Sequence, residues 1–312
     1  MASGNGDAAT PSGNVIMKLC VCICTFRRPH MIKALLLKLG EQETAGEFTI
    51  SVVVTDNDKA QSAQAAVREA AATLSLPVLY TVEPDQNIAK ARNRAVLAST
   101  GDYIAFIDDD ESPERDWLLT ALHACQAHGA DGVLAPVRPV FEHEPPSWLV
   151  KGRFCERPEH PTGHVLDWRE TRTGNVLFRR SLIAGMAEPF AIAYGNGGED
   201  TDFFKRLMAA GATFVWCNEA PVHEVVPPDR CERRYFLKRA LLRGQNERKL
   251  ANLASVGKSL VAVPAYLLML PFMLLAGQHW FMHYAIRLCD HAGKIAGVLG
   301  FRPLGKKYIT QP

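Results

Sequence analysis

GDYIAFIDDDE, residues 101–111, carries a five-residue apolar run from Tyr103 to Ile107 straight into Asp108, Asp109 and Asp110. Three like charges at the end of a buried strand repel one another and resist leaving water. Two arrangements make such a run favourable: full solvation, or a divalent cation with oxygen ligands. Taken alone, the triplet reads as a solvated acidic loop. Its neighbours along the chain change that reading.

Upstream, KLCVCICT (18–25) and FTISVVVT (48–55) are β-rich apolar runs, and 77–82 is a third. Between them, apolar periodicity predicts helices over 31–39 and 60–72, and a further helix runs from the polar turn 83–87 to about residue 99. After the acidic strand comes another helix over 117–128. This alternation predicts a parallel, doubly wound α/β sheet. Ligands in such sheets sit beyond the carboxyl ends of the strands. Three of those ends are polar: Thr25-Phe26-Arg27-Arg28, Asp56-Asn57-Asp58 and the aspartate triplet.

In the second half, 131–135, 173–179 and 213–217 read as strands. The Pro-, His- and Trp-containing stretch 141–172 is the kind of long aperiodic connection that is usually functional. A glycine-rich turn at 194–198 precedes a helix over 199–210, and 229–250 reads as a basic helix. From Arg230 to Lys258 nine Lys and Arg residues face only Glu232 and Glu247, a segment suited to a diphosphate or a lipid surface. The whole chain balances 35 Lys+Arg against 33 Asp+Glu, which argues against a general nucleic-acid binder. Of the eight cysteines, Cys20, Cys22 and Cys24 share one strand face and the others form no CxxC pair, so reduced thiols in a cytosolic setting are expected. Residues 1–16 have neither a basic n-region nor an apolar h-region and read as a disordered lead-in, not a signal peptide.

Residues 259–277, SLVAVPAYLLMLPFMLLAG, contain no charge but are broken by Pro264 and Pro271. The following helix carries one polar stripe: His279, His283, Arg287, Asp290, His291 and Lys294. Together they predict a membrane-associated helical tail over 253–312, re-entrant or monotopic, with a buried hairpin as the alternative.

Six pieces, CICTFRRP, TDND, NIAKARNRAV, FIDDDE, TGNVLFRR and GGEDTDFFKRL, occur in this order on these elements. In them the chain resembles glycosyltransferase family 2, and within it the bacterial succinoglycan-type exopolysaccharide enzymes. The resemblance implies the GT-A nucleotide-diphospho-sugar transferase fold, a Rossmann-like, mostly parallel mixed sheet, over 17–252. Residues 17–130 would form the nucleotide-binding half, and 131–252 the acceptor half with the basic helix.

It also implies roles. Thr25, Arg27 and Asp56 would hold base and ribose, Asp56 accepting from a uracil-like N3–H, although an Asx turn explains Asp56 equally well. Arg92 and Asn93 face the same crevice, and Asp108 and Asp109 would contact ribose and donor sugar. Asp110, with His223 as a further ligand, would hold Mn²⁺ or Mg²⁺. Asp200 would be the catalytic base and Glu199 a sugar or acceptor contact, although acidic residues also cap helices. Gly174, Asn175 and Gly198 would lie on the acceptor side, and Arg239 and Arg243 would meet a diphosphate.

In-line attack by an acceptor hydroxyl inverts the anomeric centre. The expected enzyme is therefore an inverting, metal-dependent hexosyltransferase at the cytoplasmic face of the membrane. It would move sugar from a nucleotide (UDP) donor to a lipid-linked glycan. Residues 231–235, CERRY, depart from the QxxRW-like motif of processive members, so one sugar per acceptor is expected. A nucleotidyltransferase would want a glycine-rich loop after the first strand, which CTFRRPH lacks. An inactive, membrane-tethered sugar-binding protein is the alternative outside enzymes.

Overall fold

The computed structural model describes residues 16–195, 197–247 and 253–301. The lead-in up to residue 15, Arg248 and Lys249 of the basic segment, and the tail beyond 301 lie outside the described residues. The chain divides into two compact units. One comprises Met1–Asp109, Glu114–Ala135 and Pro161–Ala220; the other comprises Asp110–Pro113, Pro136–His160 and Pro221–Pro312.

The first unit is built on a seven-stranded sheet. In chain order its strands are β1 (Met17–Thr25), β2 (Phe48–Asp56), β3 (Val78–Val82), β4 (Tyr103–Phe106), β6 (Gly132–Leu134), β8 (Val176–Arg179) and β9 (Phe214–Trp216), arranged β3-β2-β1-β4-β8-β6-β9. β1 is parallel to both β2 and β4. Leu19 to Ile23 are buried without interruption, as expected of a central strand covered on both faces. β8 enters antiparallel between β4 and β6, so the sheet is mixed and not purely parallel. Strand periodicity gives no direction, which is why alternation alone predicts the simpler sheet.

Helices α1 (Pro29–Leu39), α2 (Gln64–Ala71), α3 (Ile88–Ala98), α4 (Trp117–Ala127) and α6 (Glu199–Ala209) belong to this unit. α1 starts on Pro29, whose fixed φ and missing N–H suit a first turn. Asn87 caps α3 by accepting from the Lys90 N–H at 3.1 Å. The core includes a chain of aromatic contacts through Phe106, Phe190, Phe203, Phe204 and Phe214.

The second unit holds a three-stranded sheet: β5 (Glu111–Pro113), β10 (Val222–Val226) and β7 (Val137–Phe141), with β10 central. Its helices are α5 (Ser147–Lys151), α7 (Arg233–Glu247), α8 (Leu253–Ala276) and α9 (Gln278–Val298). Trp148 and Leu149 of α5, Phe236 of α7 and Met282 of α9 form its apolar core. The long stretch after residue 141 therefore supplies part of a core through α5. The division places Asp108 and Asp109 in the first unit and Asp110 in the second.

Candidate active site

In the first unit the strand tips predicted to converge do so. Thr25 and Asp56 are register partners at the ends of β1 and β2. The Thr25 hydroxyl donates to Asp109 Oδ2 at 2.7 Å, and Arg28 Nη1 donates to Asp109 Oδ1 at 2.7 Å. Asp109 is thus buried and held by Thr25 and Arg28 among others. Arg27 turns outward, its side chain 61% exposed, with a left-handed backbone (φ 56°) and Nε 3.2 Å from Asp58. Asp56 is fully buried. It accepts from the Asp58 and Ala63 N–H groups at 3.0 and 2.8 Å and from the Tyr80 hydroxyl at 2.8 Å, so the Asx turn is present. Asn57 ties the same tip to the next strand, donating to the carbonyls of Glu83 and Asp85.

Behind these tips lies a charge cluster. Arg92 of α3 forms an ion pair with Glu199, the first residue of α6, and both side chains are buried. Burial works against the Arg92 charge, but Glu199 and Asp108 more than offset it, and its pKa is raised. For Glu199 burial wins: its carboxyl titrates above its ordinary value despite Arg92, with Asp200 and Asp108 pushing the same way. Burial also lifts the nearby Cys24 thiol to about 12 against the pull of Arg92, keeping it neutral. Glu199 Oε2 is buried with no hydrogen-bond partner among the described residues. Asp200, half-buried, accepts from the Thr201 N–H at 2.7 Å.

The α6 start depends on Gly197 (φ 118°) and Gly198 (φ 94°), backbone conformations that a side chain would strain. This explains two glycines that capping alone would not need. Asn93 and Asn175 both brace their surroundings. Asn93 exchanges two hydrogen bonds with the Phe190 backbone, at 2.7 and 2.8 Å. Asn175 follows the buried Gly174 in a left-handed conformation (φ 55°). It accepts from the Trp117 indole at 2.7 Å and donates to the Ala220 carbonyl at 2.9 Å. Each of these amides is committed to bracing buried backbone or side chains.

In the second unit Asp110 leads directly into β5, which pairs antiparallel with β10 so that His223 opposes Ser112 and Glu224 opposes Glu111. His223 therefore lies within β10. Arg230 bridges Glu224 Oε1 at 2.8 Å and Asp110 Oδ2 at 3.5 Å, and Arg157 also reaches Glu224 at 2.7 Å. Carboxylate oxygen and imidazole nitrogen are donor types that Mn²⁺ accepts; here Asp110 faces the Arg230 guanidinium and His223 stands opposite Ser112. Arg239 and Arg243 line one cavity of about 430 Å³ with Arg157 and Arg230. Arg243 is held by Asp290 in a two-pronged pair at 2.8 and 2.5 Å, while Arg239 donates to the Tyr235 hydroxyl at 3.3 Å.

The sequence alone marks no individual site role for Arg28, Arg157, Glu224 or Arg230. Arg28 stood beside Arg27 in the quoted tip, and its position just before Pro29 was the available signal. Glu224 follows His223 and Arg230 precedes the CERRY stretch, and only the folded structure shows that they meet.

The mostly parallel mixed sheet of the first unit, with acids at its strand tips, has the architecture of a GT-A transferase. Residues 20–185 match Glycosyl transferase family 2. The chain belongs to this family and is a glycosyltransferase of GT-A fold. Over 95% of its length it is 34% identical to 99% of the succinoglycan biosynthesis protein ExoM of Rhizobium meliloti. It is 28% identical to a glucosyl-dolichyl phosphate glucuronosyltransferase of Haloferax volcanii, over 52% of this chain and 49% of that one. The fold resembles that of S. aureus TarS residues 1–349, solved with UDP (TM-score 0.53, 18% identity) and with UDP-GlcNAc (0.52, 16%), covering 91% of each chain.

Proposed function

We propose that the protein transfers a hexose from a nucleotide sugar of the UDP type to a lipid-linked glycan in cell-surface polysaccharide assembly. The anomeric centre is inverted, and one sugar is added per acceptor. The observation that carries the chemistry is the start of α6. Asp200 stands in its first turn behind two left-handed glycines, next to a Glu199 locked by Arg92. The likeness to a succinoglycan biosynthesis protein along nearly the whole chain supports the polysaccharide context.

Asp200 takes the proton of the acceptor hydroxyl as that oxygen attacks. Glu199, kept rigid by Arg92, contacts sugar or acceptor, and the Gly174 turn and Gly198 border the acceptor side. Asp108 and the Thr25, Arg27 and Asp56 tips hold base, ribose and donor sugar, with Asp109 and Asn93 as their braces. Asp110 and His223 would hold Mn²⁺ or Mg²⁺, which when bound neutralises charge on the departing nucleoside diphosphate. Arg239, with Arg230 and Arg157 beside it, offers guanidinium groups to a diphosphate. The eight cysteines are all unpaired, as suits a cytoplasmic site, and the apolar α8 suits attachment to the membrane's inner face.

The full chain incubated with a panel of nucleotide sugars and a lipid-extract acceptor tests this reading. Transfer with inversion, dependent on Mn²⁺ and lost in Asp200→Asn, is expected. Undiminished turnover in Asp200→Asn, or retention of configuration, overturns the mechanism.

A further inference from the structure

We infer that α8 lies flat in one leaflet of an anionic bilayer and does not cross it. This deepens, and rests on, the membrane attachment proposed above. By length α8 is ambiguous: its 24 residues extend about 36 Å, enough to span a hydrocarbon core of about 30 Å. What it is packed against decides the matter. One stripe of α8 faces α9: Ser259 bonds His291 Nδ1 at 2.9 Å, and Tyr266 lies against Tyr284 and His291 with ring centroids 5.7 Å apart. The two helices therefore run antiparallel, side by side.

The opposite side of α9 is fastened to α7 over the same length. Arg233 donates to Gln278, Arg243 pairs with Asp290, and the backbones touch at two glycines. A Cβ on Gly244 would fall 2.0 Å from the Asp290 carbonyl oxygen, and one on Gly293 would fall 2.3 Å from that of Leu241. α7 presents exposed Arg233, Arg234, Lys238, Arg239 and Arg243. If α8 crossed the bilayer, α9 would carry these cations to hydrocarbon depth, where charged groups are strongly disfavoured.

The outer face of α8 gives an independent argument. Leu260, Val261, Leu268, Phe272 and Leu275 point outward, Val261 and Leu268 72% exposed and Leu275 88%. Pro264 and Pro271 lie seven residues apart on that exposed face. Each lacks the N–H that would satisfy the carbonyl four residues back, at Leu260 and Leu267. Inside hydrocarbon a carbonyl freed in this way depends on a neighbouring group of the protein, whereas at the interface water and headgroups serve it directly. The occupant is anionic lipid: over 253–301 three basic residues, Lys258, Arg287 and Lys294, meet only Asp290, which already pairs with Arg243 of α7.

The test uses the full chain with vesicles of phosphatidylcholine containing a quarter phosphatidylglycerol. Tryptophan replaces Leu260, Leu268 or Leu275 in turn, and quenching by lipids brominated near the headgroup or near the chain end reports depth. Equal, shallow quenching at all three positions is expected. Leu268→Glu, which leaves the inner stripe intact, should cut the bound fraction at least about ten-fold with an unchanged melting curve. Deep quenching at Leu268 with shallow quenching at Leu260 and Leu275 shows a crossing helix. It overturns the inference while leaving membrane attachment standing. Failure to bind these vesicles, with α8 buried instead in a dimer seen by sedimentation, overturns both.

Discussion

Arg92 and Glu199, 107 positions apart in sequence, meet as a buried ion pair that joins α3 to the first turn of α6. The pair fixes where Asp200, the next residue, stands. Arg92→Met should strand the Glu199 carboxylate without a counter-charge and cost about 3–5 kcal/mol in urea unfolding. The double variant Arg92→Met/Glu199→Leu should recover most of that stability, because two apolar groups replace two desolvated charges. It should not recover transfer activity.

The same pair predicts a pH dependence. The folded-state pKa of Glu199 lies above its ordinary value of about 4.5, because burial disfavours the carboxylate. The folded form therefore binds the Glu199 proton more tightly than the unfolded form. The stability this contributes is present below pH 4.5 and is lost as pH rises through the raised value. The melting temperature of Glu199→Gln, measured against that of the parent chain, should climb over that interval and level off above it.

Asp109 and Asp110 should fail differently. Asp109→Ala leaves the Thr25 hydroxyl and the Arg28 guanidinium without their buried acceptor, which should cost about 1–3 kcal/mol of stability. Asp110→Ala should leave the melting curve nearly unchanged and abolish Mn²⁺ binding followed by electron paramagnetic resonance. Arg230→Gln, by removing a positive charge 3.5 Å from Asp110, should tighten Mn²⁺ binding by roughly ten-fold.

Asp200→Asn should lower kcat by about 10²–10⁴-fold while the KM for donor holds, as loss of a general base requires. Steady-state kinetics on the full chain reads both quantities.

Asn175→Ala should destabilise the first unit. It removes the acceptor of the Trp117 indole and the donor to Ala220, and puts a β-carbon residue at φ 55° without asparagine's local bonding. A loss of about 2–4 kcal/mol is expected in chemical unfolding.

The strands that could be read from the sequence are those with long apolar runs. β1, β2 and β4 stand out because sheet burial on both faces demands continuous hydrophobicity. The second sheet was invisible. β5 has three residues, with Ser112 between a glutamate and a proline; β7 is interrupted by Pro139, and β10 alternates around His223 and Glu224. None of these segments has a signature of its own, because each becomes a strand only through its partner. The acids of the site were legible for a related reason: Asp108, Asp109, Asp110, Glu199 and Asp200 sit at strand ends or helix starts, where charge is conspicuous. Their partners were not. Arg28, Arg230 and Glu224 look like ordinary surface charges until pairing brings them to a carboxylate or guanidinium. Asn93 and Asn175 show the converse, since a polar residue in a motif also makes hydrogen bonds that hold the scaffold.

Met282 of α9 is fully buried against Trp148, Leu149 and Phe236, and so belongs to the core of the second unit. The helical tail is therefore not a detachable accessory. Cutting the chain before α8 would remove one wall of that core and bare the aromatic side chains of α5 and α7. A shortened protein made to improve handling should aggregate. Substitutions confined to the outer face of α8 keep that wall in place and offer the better route to a soluble enzyme.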